Sequence, residues 1–159
     1  MRRIYIFLAV IIMSMTSCLK SDDSLSFAEQ AEKNAKAGEE FLAKNANEKG
    51  VYVLDSGLQY KIIKAGEGKM PTSEDRVECL YEGKLLNGTI FDSSIRRGET
   101  ATFAVNGVIA GWTEALKLMK VGSKWQLFIP YNLAYGEYGY SSIGPKETLI
   151  FDVELISIK

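Results

Sequence analysis

Val108-Ile109-Ala110-Gly111-Trp112 and the run that follows, Thr113 to Met119, decide the fold. Trp112, Ala115, Leu116 and Met119 fall at i, i+3, i+4 and i+7, so they share one apolar face of a short helix predicted from Thr113 to Met119. Gly111 allows a tight backbone approach, and Gly122 after Val121 supplies a stop. An indole in the first turn of such a helix is either plain core or the floor of a pocket walled by strands. The flanking stretches decide between the two.

Strand periodicity surrounds the helix. Leu58, Tyr60 and Ile62 alternate with Gln59 and Lys61, and Ala65-Gly66-Glu67-Gly68 closes that run. Val77, Cys79 and Tyr81 share one face, which makes Cys79 a small buried hydrophobe. Asn87-Gly88 between apolar flanks is a hairpin signal. Ala101 to Val105 and Lys124 to Ile129 are further strands, and Leu149, Phe151, Val153 and Leu155 alternate inward along a long final one. Tyr131 to Lys146, rich in tyrosine and glycine, is a long functional loop. Hairpin-connected strands with one internal helix predict an α+β fold, an antiparallel sheet wrapped over a short central helix.

Composition removes several chemistries. The 159 residues contain no histidine, so no Ser-His-Asp triad, Cys-His pair or histidine-ligated metal can form. Two cysteines, Cys18 and Cys79, provide neither a thiolate zinc cluster nor a disulfide framework. No metal or cofactor is expected. A net charge of −1 without a basic block argues against nucleic acid as a partner.

The N-terminal region reads as a leader and a spacer. Arg2-Arg3 and the apolar run Ile4 to Met13 form a signal peptide over 1–17, the run being too short for a spanning helix. Ser14-Met15-Thr16-Ser17-Cys18 resembles a bacterial lipobox with methionine in the usual leucine position, which would make Cys18 a lipidated N-terminus. Residues 18–26 form a polar tether, whose Ser21-Asp22-Asp23 is either a plain linker or resembles a surface-targeting signal. Ser26-x-x-Glu29 is a capping box, and a spacer helix occupies 27–49, running from Phe27 to about Asn45. Its apolar stripe, Ala28, Ala31, Ala35, Gly38 and Leu42, is thin, with Phe41 and Leu42 docking near the main domain at 50–159.

Five motifs in order are specific together: Tyr81-Glu82-Gly83, Asn87-Gly88-Thr89-Ile90-Phe91-Asp92-Ser93-Ser94, Val108 to Trp112, Leu133-Ala134-Tyr135-Gly136, and Leu149 to Leu155. They resemble the FKBP-type peptidyl-prolyl cis/trans isomerases, and the lead-in from Phe41 resembles the envelope members called macrophage infectivity potentiators. The resemblance implies a half-barrel sheet with an apolar cavity between it and the helix. Trp112 would be the floor; Tyr81, Phe91, Val108, Ile109 and Phe151 the walls; Tyr135 and Asp92 polar rim groups; and the Ile109 N–H a donor to substrate. Tyr81, Asp92, Trp112, Tyr135 and Phe151 would be catalytic, and Phe91, Val108, Ile109 and Ile143 would bind substrate. Arg97 would support Asp92 as its cation. The flap reads Ile143-Gly144-Pro145, where the family usually has an isoleucine and two prolines.

The implied function is isomerisation of X-Pro bonds in polypeptides folding in the cell envelope. The implied ligands are proline-containing polypeptides and macrolides of the tacrolimus and rapamycin type. The chain would reach the membrane through its lipid anchor, as an outer-membrane lipoprotein facing the periplasm or the cell surface. With only residues 27–49 between tether and domain, it is expected to be a monomer. The alternatives are a non-catalytic chaperone or peptide-binding module on the same fold and, less supported, an anchored protein adhering through Tyr131 to Tyr140.

Overall fold

The computed structural model describes residues 25–159. The leader, Cys18 and the acidic tether residues lie outside this range. Strands β1 (Val51–Val53), β2 (Gln59–Lys64), β3 (Arg76–Leu85), β4 (Ile90–Ser93), β5 (Ala101–Ala104), β6 (Lys124–Ile129) and β7 (Leu149–Ile158) form one sheet. Its order is β1-β2-β6-β7-β3-β4, with β5 also paired to β3, and every pairing is antiparallel. Helix α1 spans Phe27–Asn45, α2 spans Ser94–Arg97 and α3 spans Ala110–Leu116.

The core lies between α3 and one face of the sheet. Trp112, Ala115, Leu116 and Met119 are all buried there, against Val77, Cys79, Leu127, Val153 and Leu155. Burial lifts the Cys79 thiol to about 12, so it stays a neutral hydrophobe. The inward faces of β3 and β7 follow their alternation, and β6 matches its predicted bounds.

Three local readings are corrected. Helix α3 spans Ala110–Leu116 rather than Thr113 to Met119, so Gly111 lies inside it and Met119 beyond its end. A Cβ on Gly111 would sit 2.6 Å from Ile129 Cγ2, so the glycine lets the helix backbone touch β6. At the start of β2 the buried residues are Gln59 and, just before the strand, Leu58, while Ile62 is exposed. Gln59 is buried because α1 covers it: Asn45 Nδ2 donates to Gln59 Oε1 at 2.8 Å, and Gln59 Nε2 donates to the Leu42 carbonyl at 2.9 Å. Strand β1 was not foreseen. It joins β2 through a turn closed by Gly57 N–H to Leu54 O at 2.9 Å, with Gly57 at φ +90°.

Helix α1 starts at the capping box, with Ser26 and Glu29 bonded reciprocally. Its buried face is Ala31, Asn34, Gly38 and Asn45, whereas Ala28 is exposed. Polar amides extend the thin alanine stripe, and Phe41 meets Phe128 at 5.8 Å between ring centroids. Among the described residues, no helix is long and apolar enough to cross a membrane.

Candidate active site

A cavity of about 610 Å³ opens between α3 and the rim of the sheet. Strand β3 supplies Tyr81, β4 supplies Phe91 and Asp92, and β7 supplies Phe151. Val108 and Ile109 come from the approach to α3, Trp112 from its first turn, and Tyr135 and Ile143 from the loop between β6 and β7. All nine predicted pocket residues line this one cavity.

The aromatic rings interlock at right angles. Trp112 meets Tyr81 at 5.3 Å and 88°, Phe151 at 5.4 Å and 82°, and Phe103 at 5.5 Å and 75°; Phe91 meets Phe151 at 5.4 Å and 83°. Edge-to-face pairs align the positive edge of one ring with the negative face of the next. They fix a rigid apolar bowl. Gly83 makes this possible, because a Cβ there would sit 2.6 Å from both Phe91 Cζ and Phe151 Cε1. The Trp112 indole N–H is buried and, among the described residues, is the sole buried side-chain polar atom without a hydrogen-bond partner.

One wall carries charge. Arg97 Nη1 donates to Asp92 Oδ1 at 2.5 Å, the Tyr81 hydroxyl donates to Asp92 Oδ2, and Arg97 Nη2 donates to the Tyr81 hydroxyl at 3.2 Å. The local fold sets this geometry. Ser93 caps α2, accepting the Arg96 N–H at 3.1 Å, and buried Ser94 Oγ accepts the Tyr81 N–H at 2.9 Å. Arg97, at the end of that single turn, lies 5.9 Å over the Tyr81 ring.

Burial would raise the Asp92 carboxyl, but hydrogen bonds from Tyr81 and Arg97 and the arginine charge outweigh it and hold its pKa below the ordinary value. Burial raises Tyr81, reinforced by its bond to Asp92. Burial also raises Tyr135, with the Asp92 and Tyr140 charges adding to it.

Phe103, Gly107, Tyr140, Ser141 and Ser142 also line the cavity and were not singled out from sequence. Phe103 could have been found from the alternation of β5. Tyr140 had no such signal: its ring stacks on Tyr135 at 5.5 Å and 15° only because a bridge between Tyr140 and Ile143 folds the loop back.

The FKBP-type peptidyl-prolyl cis-trans isomerase family model matches residues 67–156, and a model for the domain amino-terminal to such isomerases matches residues 11–62. The chain is 56% identical over 125 residues to an FKBP-type 22 kDa peptidyl-prolyl cis-trans isomerase of Escherichia coli, covering 78% of this chain and 61% of that protein. It is 50% identical over 142 residues to the outer membrane protein MIP of Legionella longbeachae, covering 89% and 61%. Among solved structures, FkpA from Escherichia coli superposes with a TM-score of 0.82 at 45% identity, over 84% of this chain and 62% of that one. The chain thus spans about three-fifths of the length of these relatives. With one family model covering α1 and the first strands and the other covering the pocket and the rest of the sheet, the chain belongs to the FKBP-type peptidyl-prolyl cis-trans isomerase family.

Proposed function

We propose that the chain catalyses cis/trans isomerisation of X-Pro bonds, with the proline ring seated on Trp112. The observation that carries this reading is the interlocked aromatic bowl, apolar at its floor and polar on one wall. Rotation about the X-Pro bond passes through a twisted amide that has lost resonance, with no bond made or broken. The uncatalysed step takes about 10–100 s. Reaching an ordinary turnover requires about 10³–10⁴-fold acceleration, or about 4–6 kcal/mol. The planar amide is more dipolar than the twisted one, so excluding water over Trp112 and Phe151 favours the twisted form. The Ile109 N–H, which precedes the ladder of α3, would hold a substrate carbonyl; the Ile109 carbonyl itself accepts from Trp112 at 2.9 Å. Asp92, fixed by Arg97, orients the Tyr81 hydroxyl on the charged wall.

The experiment is a protease-coupled assay on proline tetrapeptides with the purified chain, with and without tacrolimus or rapamycin. Acceleration that the macrolide abolishes supports the reading. Macrolide binding without acceleration would instead make it a non-catalytic chaperone or peptide-binding module, and the absence of both properties would refute both functions of the pocket.

The pH profile is a second test. Asp92, held below the ordinary carboxylate range, is ionised throughout neutrality, and the ion pair with Arg97 is lost only as pH falls through that lowered value. Burial raises the Tyr81 and Tyr135 phenols from their ordinary value, and the Cys79 thiol to about 12. With no histidine in the chain, kcat/KM is expected to be flat between about pH 6 and 8. A limb near neutrality would contradict catalysis by water exclusion.

The reading extends to location. Cys18, after small residues and a short apolar run, is proposed as the diacylglyceryl-modified N-terminus of a monomeric envelope lipoprotein, with residues 1–17 removed and the domain at 50–159 held by the tether and α1. The relative named as an outer membrane protein supports this placement. Stable anchoring takes about two lipid signals, which a diacylglyceryl group and an amide-linked chain supply. Cys18→Ser is expected to abolish fatty-acid labelling and release an active, folded protein from membranes. Equal membrane association of mutant and wild type would refute the anchor.

A further inference from the structure

The loop that closes the pocket over Trp112 is held from behind by α1. Tyr135, Tyr140 and Ile143 face the cavity from this loop. Its own closure is local: Tyr140 and Ile143 exchange N–H to carbonyl bonds at 2.9 Å, the Gly136 N–H reaches the Tyr131 carbonyl at 2.8 Å, the Lys146 N–H reaches the Gly136 carbonyl at 3.1 Å, and Lys146 Nζ pairs with Glu137 at 3.0 Å. On the outer side, Asn34 Nδ2 of α1 donates to the Pro145 carbonyl at 2.7 Å, a buried contact across 111 residues of sequence. Gln30 Nε2 donates to Asn34 Oδ1 at 2.7 Å and so fixes which end of the amide faces Pro145.

The surroundings are fitted to that contact. One turn on, a Cβ at Gly38 would sit 2.3 Å from Thr148 Oγ1, so the helix backbone lies directly on the residue preceding β7. A Cβ at Gly144 would already be 3.4 Å from Asn34 Nδ2. Toward the helix start, Phe27 stacks on Tyr138 at 6.2 Å. Asparagine is a poor residue for a helix interior, and a buried amide is unfavourable unless bonded. An apolar residue would serve α1 better if α1 were only a spacer.

We propose that Asn34 is a positioning residue for the prolyl site, acting through Pro145 to hold Ile143 and Tyr140 in the pocket wall. The proposal rests on the isomerase reading for its kinetic consequence, and on the loop geometry alone for its structural one.

The full chain is compared with its Asn34→Ala, Asn34→Asp and Gln30→Ala variants, by amide hydrogen exchange and by isomerisation of a proline tetrapeptide. Asn34→Asp keeps the acceptor for Gln30 but turns the donor to Pro145 into a second acceptor facing its carbonyl, so it should loosen the loop at least as much as alanine does. Gln30→Ala leaves the donor in place but unoriented, and gives a smaller effect in a protein that folds even if Asn34→Ala does not. The expected result is faster exchange at Tyr140, Ile143 and Lys146, and a rise of about five-fold in KM with kcat nearly unchanged, the scale of one net hydrogen bond. Unchanged exchange in the loop overturns the proposal. So does a lowered melting temperature with faster exchange but an unmoved KM, since that is a structural bond only. A wild type with no turnover would be a failure of the isomerase reading, and the exchange measurement would still decide whether Asn34 clamps the loop.

Discussion

Trp112→Ala is expected to lower kcat/KM by about 100-fold, about 2.7 kcal/mol of the barrier reduction, and to destabilise the fold by about 3–5 kcal/mol. The two losses have one origin. Trp112 is 4% exposed and touches Tyr81, Phe103 and Phe151 edge-on, so its removal empties the floor and takes an edge-to-face contact from each of three rings. Trp112→Phe separates the contributions. The indole N–H has no partner to lose, so phenylalanine breaks no hydrogen bond and retains a ring on the same face. It should keep most of the stability and part of the activity. Urea unfolding gives the first quantity, and isomerisation measured where each variant is fully folded gives the second. Activity within a few-fold of wild type in a folded Trp112→Ala protein would mean that the proline does not sit on this ring.

Gly139→Ala is expected to raise KM by about ten-fold, the scale set by forcing an L-residue into the left-handed region at about 1–2 kcal/mol, with little change in melting temperature. Gly139 has φ +73°, and a Cβ there would lie 2.2 Å from the Ile143 carbonyl oxygen and 2.4 Å from that of Gly144. Both obstacles are backbone, so no rotamer change relieves them. The loop must open, taking Tyr140 and Ile143 out of the wall, while the sheet and α3 are untouched. A variant with wild-type KM would mean that this loop does not contribute to binding.

How much was legible in the sequence follows from the range of the forces involved. Val77, Cys79 and Tyr81 on β3 and Leu149 to Leu155 on β7 show their buried face by alternation alone, because both strands lie in the middle of the sheet. Eight of the nine pocket residues stand in the ordered set of motifs that carries the resemblance, and Ile143 stands in the flap; alternation by itself assigns Tyr81 and Phe151 to plain core. The start of α3 was misplaced because Ile109 caps it without a side-chain hydrogen bond, so the usual Ser, Thr, Asp or Asn marker is missing. Gln59, Asn34 and Asn45 were invisible to hydropathy. Each is buried only because a distant carbonyl or amide satisfies it, and such pairings have no local signature. β1, three residues long with exposed Tyr52 and Val53, offered too little pattern to read.

The place of β7 in the sheet governs when the protein can exist at all. Residues 149–158 lie between β6 and β3 and bond to both. During synthesis, every earlier strand is made before the one that joins the two halves of the sheet. Until then β3 and β6 have an unpaired edge each, the kind of surface that invites pairing with other chains. Long-range antiparallel closure is also slow compared with helix formation. The chain thus cannot close its own sheet on the ribosome until its β7 residues have emerged. For that interval it depends on whatever shields unfinished chains, as any client would.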